Sequence, residues 1–309
     1  MIPVNSVLQV GFFPEIMQLT IERRLKALPL LDPHSPCQHN EALAIITRSP
    51  CPINLKLLEQ LPKLKMISVC GVGYDNLPLD YLKQRGIIAS NTPGVLNDAV
   101  CELTIGLLFG LLRKIPEGQQ FVLQKTWATE TFPFTTSLAG KKIGIVGMGR
   151  IGQELASRLL PFKVEIAYHG PSPKNLPYVF FSALLDLARE SDILILTCPG
   201  GKSTEKIINT SILQALGPKG YLINVARGSV VNEDDLINAL QNKVIAGAAL
   251  DVFENEPNPK ADFLTLSNVL LTPHIGSATQ ETRQAMTNLA IDNLEAFFNH
   301  QPLPTPISF

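Results

Sequence analysis

Several shortages narrow what this sequence can be. Aromatic residues make up 6% of it, with a single tryptophan, Trp127, and its five cysteines (Cys37, Cys51, Cys70, Cys101, Cys198) are scattered with no C-x-x-C pair. An odd, unspaced set of cysteines specifies neither a disulfide framework nor a zinc site, and it suits a reducing compartment. Positive charge is not in excess: 26 basic against 27 acidic residues leave a net charge of −1. That balance argues against broad attraction to nucleic acid or to a membrane surface. No basic stretch precedes an apolar run at the N-terminus, so no secretory leader is expected. The most apolar segment, residues 100–112, is 13 residues long, short of the roughly 20 that a membrane-crossing helix needs. A cytoplasmic protein without membrane or nucleic-acid partners is the expectation.

What is present is core-forming residue. Hydrophobic residues make up 45% and charged residues 17% of 309 positions, enough for about two domains of ~150 residues each. The first hundred residues repeat a strand-then-helix rhythm, with strands expected at 7–11, 44–47, 64–70 and 87–90 and helices at 16–27, 55–61 and 79–85. Continuous apolar strands separated by helices imply a parallel sheet covered on both faces. A long helix follows, capped by Asn97 or Asp98 and running to about 115. Its apolar residues go all the way round, which suggests a helix sandwiched between domains or subunits and hints at a homodimer; burial within one subunit is the alternative. Residues 118–138 read as irregular. The rhythm then resumes, with strands expected at 164–168, 193–197, 222–225, 245–252 and 269–272, and helices at 183–189, 211–216 and 233–240. A last helix follows the capping-box spacing Ser277-Ala278-Thr279-Gln280 and reaches about 298. Its length suggests a return to the first domain. The expected organisation is α/β, with two Rossmann-like doubly wound parallel-sheet domains. One is discontinuous, from residues 1–97 plus 280–309, and the other comprises 98–279.

The strongest local signal is Ile143-Gly144-Ile145-Val146-Gly147-Met148-Gly149-Arg150-Ile151-Gly152: a buried strand, spaced glycines, then a helix starting near Arg150. In such a unit Gly147 permits the tight turn, Gly149 admits a pyrophosphate and Gly152 lets the helix sit close on the strand. The N–H groups of Arg150 and Ile151 at the helix start then face the phosphates. A dinucleotide site is the reading.

Downstream, three stretches place polar side chains where strands end: Asn224-Val225-Ala226-Arg227-Gly228, Asp251-Val252-Phe253-Glu254-Asn255-Glu256-Pro257 and Thr272-Pro273-His274-Ile275-Gly276-Ser277. Ligands of open parallel sheets bind beyond the carboxyl ends of the strands, so Arg227, His274 and one of the two glutamates point to the crevice of the glycine loop. Hydride transfer at a carbonyl carbon needs a group that manages the proton on oxygen. A histidine does this near neutral pH, and a carboxylate behind it fixes its tautomer. An arginine can grip a substrate carboxylate with two hydrogen bonds. On the residues alone, Arg227 could equally be a surface ion-pair residue and His274 a helix cap.

These stretches, together with Asn91-Thr92-Pro93-Gly94-Val95-Leu96 and Glu102-Leu103-Thr104, resemble the D-isomer-specific 2-hydroxyacid dehydrogenase family in order and spacing from about residue 70 to 280. The resemblance implies that Arg227 binds the substrate carboxylate and keto oxygen, that His274 is the acid/base, and that Glu256 rather than Glu254 pairs with it. Glu254 is then expected to be solvated. It also implies that the backbone of Gly71, Val72 and Gly73 receives the carboxylate. Asp251 would hold the nicotinamide amide, with Thr104, Pro199, Val225, Ala226 and Gly276 near the cofactor. His34, His39, His169 and His300 match no catalytic pattern and are expected at the surface, and the cysteines are expected to fill core.

One more shortage bears on the cofactor. An NAD site places Asp or Glu about 20 residues beyond the glycine loop, yet no acid occurs between Ile166 and Leu185. Ser172 and Lys174, with His169 as a further donor, suit a 2′-phosphate instead. The stretch is similar to the NADPH-using glyoxylate/hydroxypyruvate reductase branch, with Pro171 in place of a common arginine. NADP is therefore preferred, with NAD the alternative. The expected substrate is a small 2-oxo acid, glyoxylate or hydroxypyruvate, giving the D-2-hydroxy acid. Alternatives are phosphoglycerate oxidation, with Arg48 as a phosphate cation, and a D-lactate-type reaction. A dinucleotide-sensing corepressor is a further alternative, disfavoured because Arg227, Glu256 and His274 are all kept.

Overall fold

Each apolar run of the first hundred residues becomes a strand because helices cover it on both faces. A computed structural model of the chain describes residues 6–25, 28–30, 41–49, 53–75 and 77–309. The expectations for His34, His39, Cys37 and Cys51 lie outside the described residues. The chain forms two compact units, Met1–Leu96 with Ser277–Phe309, and Asn97–Gly276.

The first unit has strands β1 (Val7–Val10), β2 (Leu28–Leu30), β3 (Ala44–Arg48), β4 (Met66–Cys70) and β5 (Ile88–Ser90), all parallel in the order β2-β1-β3-β4-β5. Helices α2 (Leu55–Glu59) and α3 (Leu79–Gln84) cover one face of the sheet. On the other lie α1 (Glu15–Arg24) and the last helix of the chain, α10 (Gln280–Phe298). Strand β2 is absent from the sequence reading because Pro29 interrupts it. It survives as an edge strand, where a residue without an N–H is tolerated. Helix α10 docks on β4, with the Ser68 hydroxyl donating to the Ala290 carbonyl at 2.8 Å, and on α1, with Arg24 paired to Asp292 and Glu295. Its cap is Thr279, whose hydroxyl accepts the Thr282 N–H at 3.2 Å; the box does not begin at Ser277.

The second unit opens with α4 (Asn97–Leu112) and α5 (Ile115–Leu123). Its strands are β6 (Lys142–Val146), β7 (Glu165–His169), β8 (Val179–Phe181), β9 (Ile193–Leu196), β10 (Tyr221–Asn224), β11 (Gly247–Leu250) and β12 (Val269–Leu271). All pair in parallel in the order β12-β11-β10-β9-β6-β7-β8. Helix α6 (Arg150–Leu159) packs with α4 on one face. Helices α7 (Leu184–Arg189), α8 (Thr210–Leu216) and α9 (Glu233–Gln241) pack on the other. This is a Rossmann-like doubly wound sheet whose winding reverses between β6 and β9, the place where such folds bind ligands.

Two expectations change here. The long helix stops at Leu112, before Lys114 turns left-handed at φ 50°, and part of the stretch read as irregular is α5. Much of the apolar wrap of α4 is covered inside its own unit, where Ala99, Cys101, Leu107, Leu108 and Leu112 are buried and the helix packs on α6, β11 and β12; Leu103, Ile105 and Phe109 stay partly exposed. Among the described residues no helix is long and apolar enough to cross a membrane.

Candidate active site

The second unit's strands end level. Val146 of β6, Leu196 of β9, Asn224 of β10, Leu250 of β11 and Leu271 of β12 are register partners in one row. The loops that leave them therefore start at the same height along one edge. They carry the glycine loop, Pro199, Arg227, Asp251 and His274. The order of the sheet, not closeness in sequence, collects these residues.

The glycine loop is built to hold a backbone turn against its neighbours. Gly147 adopts φ +101°, and a Cβ there would lie 2.5 Å from the Cys198 nitrogen. A Cβ on Gly152 would lie 2.3 Å from the Gly147 carbonyl oxygen, so only glycine lets α6 sit this close to β6. The Thr197 hydroxyl donates to that same carbonyl at 2.6 Å. Gly149 differs: a Cβ there would meet nothing within 4 Å. It is also the N-cap of α6, and no side chain among the described residues caps that helix. The first-turn N–H groups of Arg150, Ile151 and Gly152, with the positive end of the helix dipole, are thus left without a side-chain cap beside a residue that has no side chain. A pyrophosphate needs this arrangement. The residues present fit a dinucleotide.

Arg227 stands on a stiff loop. Buried Asn224 bridges it, donating from Nδ2 to the Arg227 carbonyl at 2.9 Å and accepting the Ala226 N–H at 3.0 Å. The Arg227 guanidinium donates to the Ala226 carbonyl at 2.7 Å. Its neighbour Gly228 is pressed against another loop: a Cβ there would lie 1.9 Å from the Phe253 carbonyl carbon and 2.3 Å from the Glu254 nitrogen. Bare backbone at Gly228 is what brings the arginine's loop against the turn that carries Glu256. The motif alone gives Asn224 no role; an amide side chain three residues before the arginine is the sequence signal for this bridge.

His274 takes a left-handed conformation, φ 51°, which is uncommon for a non-glycine residue. Asp251 braces the loop around it. Its Oδ1 accepts the Thr272 hydroxyl at 2.6 Å and the Ile275 N–H at 2.8 Å, and its Oδ2 accepts the Gly276 N–H at 2.8 Å. The His274 N–H donates to the Asp251 and Thr272 carbonyls. Asp251 is 2% exposed, and it braces the loop that presents the histidine. A carboxylate has about four acceptor positions, so one remains on Oδ2 for an amide donor. The His274 Nδ1–H donates to Glu256 Oε2 at 2.7 Å, and Glu256 Oε1 accepts the Phe253 N–H at 3.1 Å. Nε2 is the ring atom left for proton transfer. Burial raises the Glu256 carboxyl. The hydrogen bond and charge of His274, the Phe253 N–H and the charge of Arg227 outweigh that and hold it below its ordinary value.

Other expected residues sort differently. Thr104 is fully buried, and its hydroxyl donates to the Val100 carbonyl one turn back at 2.6 Å. Glu254 is exposed, as expected, where Lys206 and Lys260 pair with it, and its N–H donates to Glu233. In the first unit the Gly71 N–H donates to the Thr92 hydroxyl, and Asn91 Nδ2 donates to the Val72 carbonyl. The Gly71 amide is therefore committed, and those of Val72 and Gly73 are the donors left to consider. Residues 170–174 form an exposed loop pinned by Tyr168, whose hydroxyl accepts the Lys174 N–H at 2.7 Å. Ser172 and Lys174 lie on it. His169 donates Nδ1–H to the Phe181 carbonyl, so in its neutral form it brings no further donor there. Val225 is half-buried, Ala226 is buried and Pro199 is exposed. Burial pushes the Cys70 and Cys101 thiols up to about 12 and Cys198 up to about 11, so all three stay protonated core residues.

Residues 105–276 match the family described as D-isomer specific 2-hydroxyacid dehydrogenase, NAD binding domain. The chain is 42% identical to hydroxyphenylpyruvate reductase of Plectranthus scutellarioides over 85% of each chain. It is 40% identical to glyoxylate/hydroxypyruvate reductase A of Arabidopsis thaliana, over 90% of this chain and 88% of that one. Among solved structures, it matches an NADPH-dependent glyoxylate/hydroxypyruvate reductase from Sinorhizobium meliloti in complex with NADP and malonate. That match has a TM-score of 0.93 at 38% identity, over 98% of this chain and 97% of the other.

Proposed function

The chain belongs to the D-isomer-specific 2-hydroxyacid dehydrogenase family, and from that membership we propose that it reduces glyoxylate or hydroxypyruvate to the corresponding 2-hydroxy acid with NADPH. The observation that carries the reading is the His274–Glu256 pair standing at the same sheet edge as Arg227 and the glycine loop. A bound dinucleotide, when reduced, supplies the hydride. The chain's residues do the rest. Arg227 grips the substrate carboxylate and polarises the keto group beside it. His274, with Nδ1 held by Glu256, delivers the proton from Nε2 to the carbonyl oxygen, and takes it back in the oxidative direction. Glu256, kept ionised, stabilises the ring when it carries both protons. The first-turn N–H groups of α6 would hold the pyrophosphate, and the remaining acceptor of Asp251 the nicotinamide amide.

The NADP preference rests on the β7 loop, which offers Ser172 and Lys174 and no acid; it is in keeping with the Sinorhizobium meliloti relative that binds NADP. A homodimer is proposed through α5 and the segment after it, where Leu123, Trp127 and Phe134 are exposed by 64%, 70% and 104%. Large apolar side chains grouped at a surface mark an interaction face. The cytoplasm is the proposed compartment, since it keeps the free, buried thiols of Cys70, Cys101 and Cys198 reduced.

The test is a reduction assay over glyoxylate, hydroxypyruvate, hydroxyphenylpyruvate, pyruvate and 3-phosphohydroxypyruvate, with NADPH and NADH. His274→Ala should lower kcat by about 10²–10⁴-fold with little change in KM. Arg227→Ala should lower kcat and raise KM together, because it also binds the ground-state carboxylate. Activity that survives either change overturns the mechanism, and a clear NADH preference overturns the cofactor assignment. A kcat/KM highest for hydroxyphenylpyruvate would move the substrate to an aromatic 2-oxo acid.

A further inference from the structure

Glu233 is a buried acid that the mechanism above does not use. It is the first residue of α9 and is 3% exposed. Its Oε1 accepts the Glu254 N–H at 2.8 Å. Its Oε2 is buried with no hydrogen-bond partner among the described residues. An orphaned carboxyl oxygen is costly to bury, and a glutamate kept there at that cost needs a reason other than fold stability.

The reason lies in what its good oxygen holds. The Phe253–Glu254 peptide is fixed from two directions. Gly228, next to Arg227, presses bare backbone onto the Phe253 carbonyl. Glu233 takes the N–H of the same peptide unit. One residue back, the Phe253 N–H donates to Glu256 Oε1; two residues on, Glu256 Oε2 accepts from His274. The Glu254 side chain is drawn outward by Lys206 and Lys260 and does not share the task. Without Glu233 the turn would keep its packing on Gly228 but lose the hydrogen bond that ties the Phe253–Glu254 peptide to α9.

We infer that Glu233 is a positioning residue for the reaction: its carboxyl anchors the Phe253–Glu254 peptide, and so aims Glu256 at His274 and keeps the pair in line with Arg227. This rests on the reading of Arg227, Glu256 and His274 given above. The groups that face Glu233 are Glu254, Asp234 and Lys260, with Asp234 drawn off by Lys260 at 2.6 Å. Burial pushes its own carboxyl up, and the Glu254 N–H pulls it back, in keeping with a group retained for its acceptor rather than its charge.

Glu233→Gln keeps an acceptor in place, Glu233→Leu removes it at similar volume, and Glu233→Asp withdraws it by one methylene. Turnover should stay within about threefold of wild type in Glu233→Gln. It should fall about tenfold or more in Glu233→Leu and Glu233→Asp, with KM for the 2-oxo acid and NADPH affinity little changed. In the resting full-length protein labelled with ¹⁵N-histidine, the downfield His274 Nδ1–H signal should persist in Glu233→Gln and broaden or shift in the other two. A merely structural residue would lower the melting temperature without moving that signal in the folded fraction. Wild-type turnover and an unmoved signal in both Glu233→Leu and Glu233→Asp would overturn the inference, as would equal losses in Glu233→Gln and Glu233→Leu. If Glu233→Leu does not fold, Glu233→Asp against Glu233→Gln decides. Because the signal is read without substrate, its failure is distinct from a failure of the proposed reaction, which the His274→Ala assay reports.

Discussion

Replacing Gly228 by alanine isolates the contact on which the active-site geometry most depends. The added Cβ would lie 1.9 Å from the Phe253 carbonyl carbon, 2.1 Å from its oxygen and 2.3 Å from the Glu254 nitrogen. All three are backbone atoms, which cannot rotate away as a side-chain tip can. Carbon atoms rest at about 3.5–4.0 Å, so the two loops must part by roughly 1.5 Å. Overpacking of a tight contact costs roughly 1–3 kcal/mol. Parting the loops also stretches the Glu254 N–H bond to Glu233, worth about 1 kcal/mol. The sum is about 2–4 kcal/mol, which for a unit of this size lowers Tm by roughly 5–15 °C. The catalytic effect should be larger than the stability effect at 25 °C, where the protein is still folded. A displacement of about 1 Å between reacting groups costs around 10²-fold in rate, so kcat/KM should fall about a hundredfold. NADPH affinity should change little, since the glycine loop leaves a different strand. The measurements are thermal unfolding, steady-state kinetics and NADPH binding by fluorescence on the same preparation. A Gly228→Ala protein that melts within a degree of wild type and keeps its kcat/KM would refute the clamp.

Two other outcomes follow from the same geometry. Gly149→Ala, whose Cβ would meet nothing within 4 Å, should leave Tm unchanged while raising the Kd for NADPH about tenfold or more, because the space it fills is the pyrophosphate's approach; an unchanged Kd would remove the phosphate assignment. The carboxyl of Glu256 is held below its ordinary 4.5. A lowered carboxyl contributes stability that is complete above the ordinary value and is lost as pH falls through the folded one. Thermal melts from pH 6 down to 3 should show wild type losing an advantage over Glu256→Gln as the pH drops below about 4.5, and parallel curves would contradict the pairing.

Local chemistry was legible without coordinates wherever one residue's neighbours in sequence are also its neighbours in space. The glycine loop is the best case, since turn, helix start and strand are contiguous. The central strands were readable as apolar runs because they are buried on both faces. Edge strands β2 and β8 were not, because each is short and has a proline within it or nearby, at Pro29 and Pro177. The apolar wrap of α4 was readable as a pattern but not as a location, since a helix enclosed by its own domain and one enclosed by a partner carry the same residues.

The amino-acid sequence by itself determined the fold class, the family and the dinucleotide loop, because periodicity and motif spacing are local properties of the chain. Tertiary structure alone decided the rest. It set β9 and β10 beside β6, which levels the loops of Arg227 and His274 with the glycines. It assigned Asp251 to bracing the His274 loop. It also brought Glu233 and Gly228 to opposite constraints on one peptide. Each of these depends on atoms far apart in the chain meeting at 2–3 Å, and no spacing in the sequence encodes that distance.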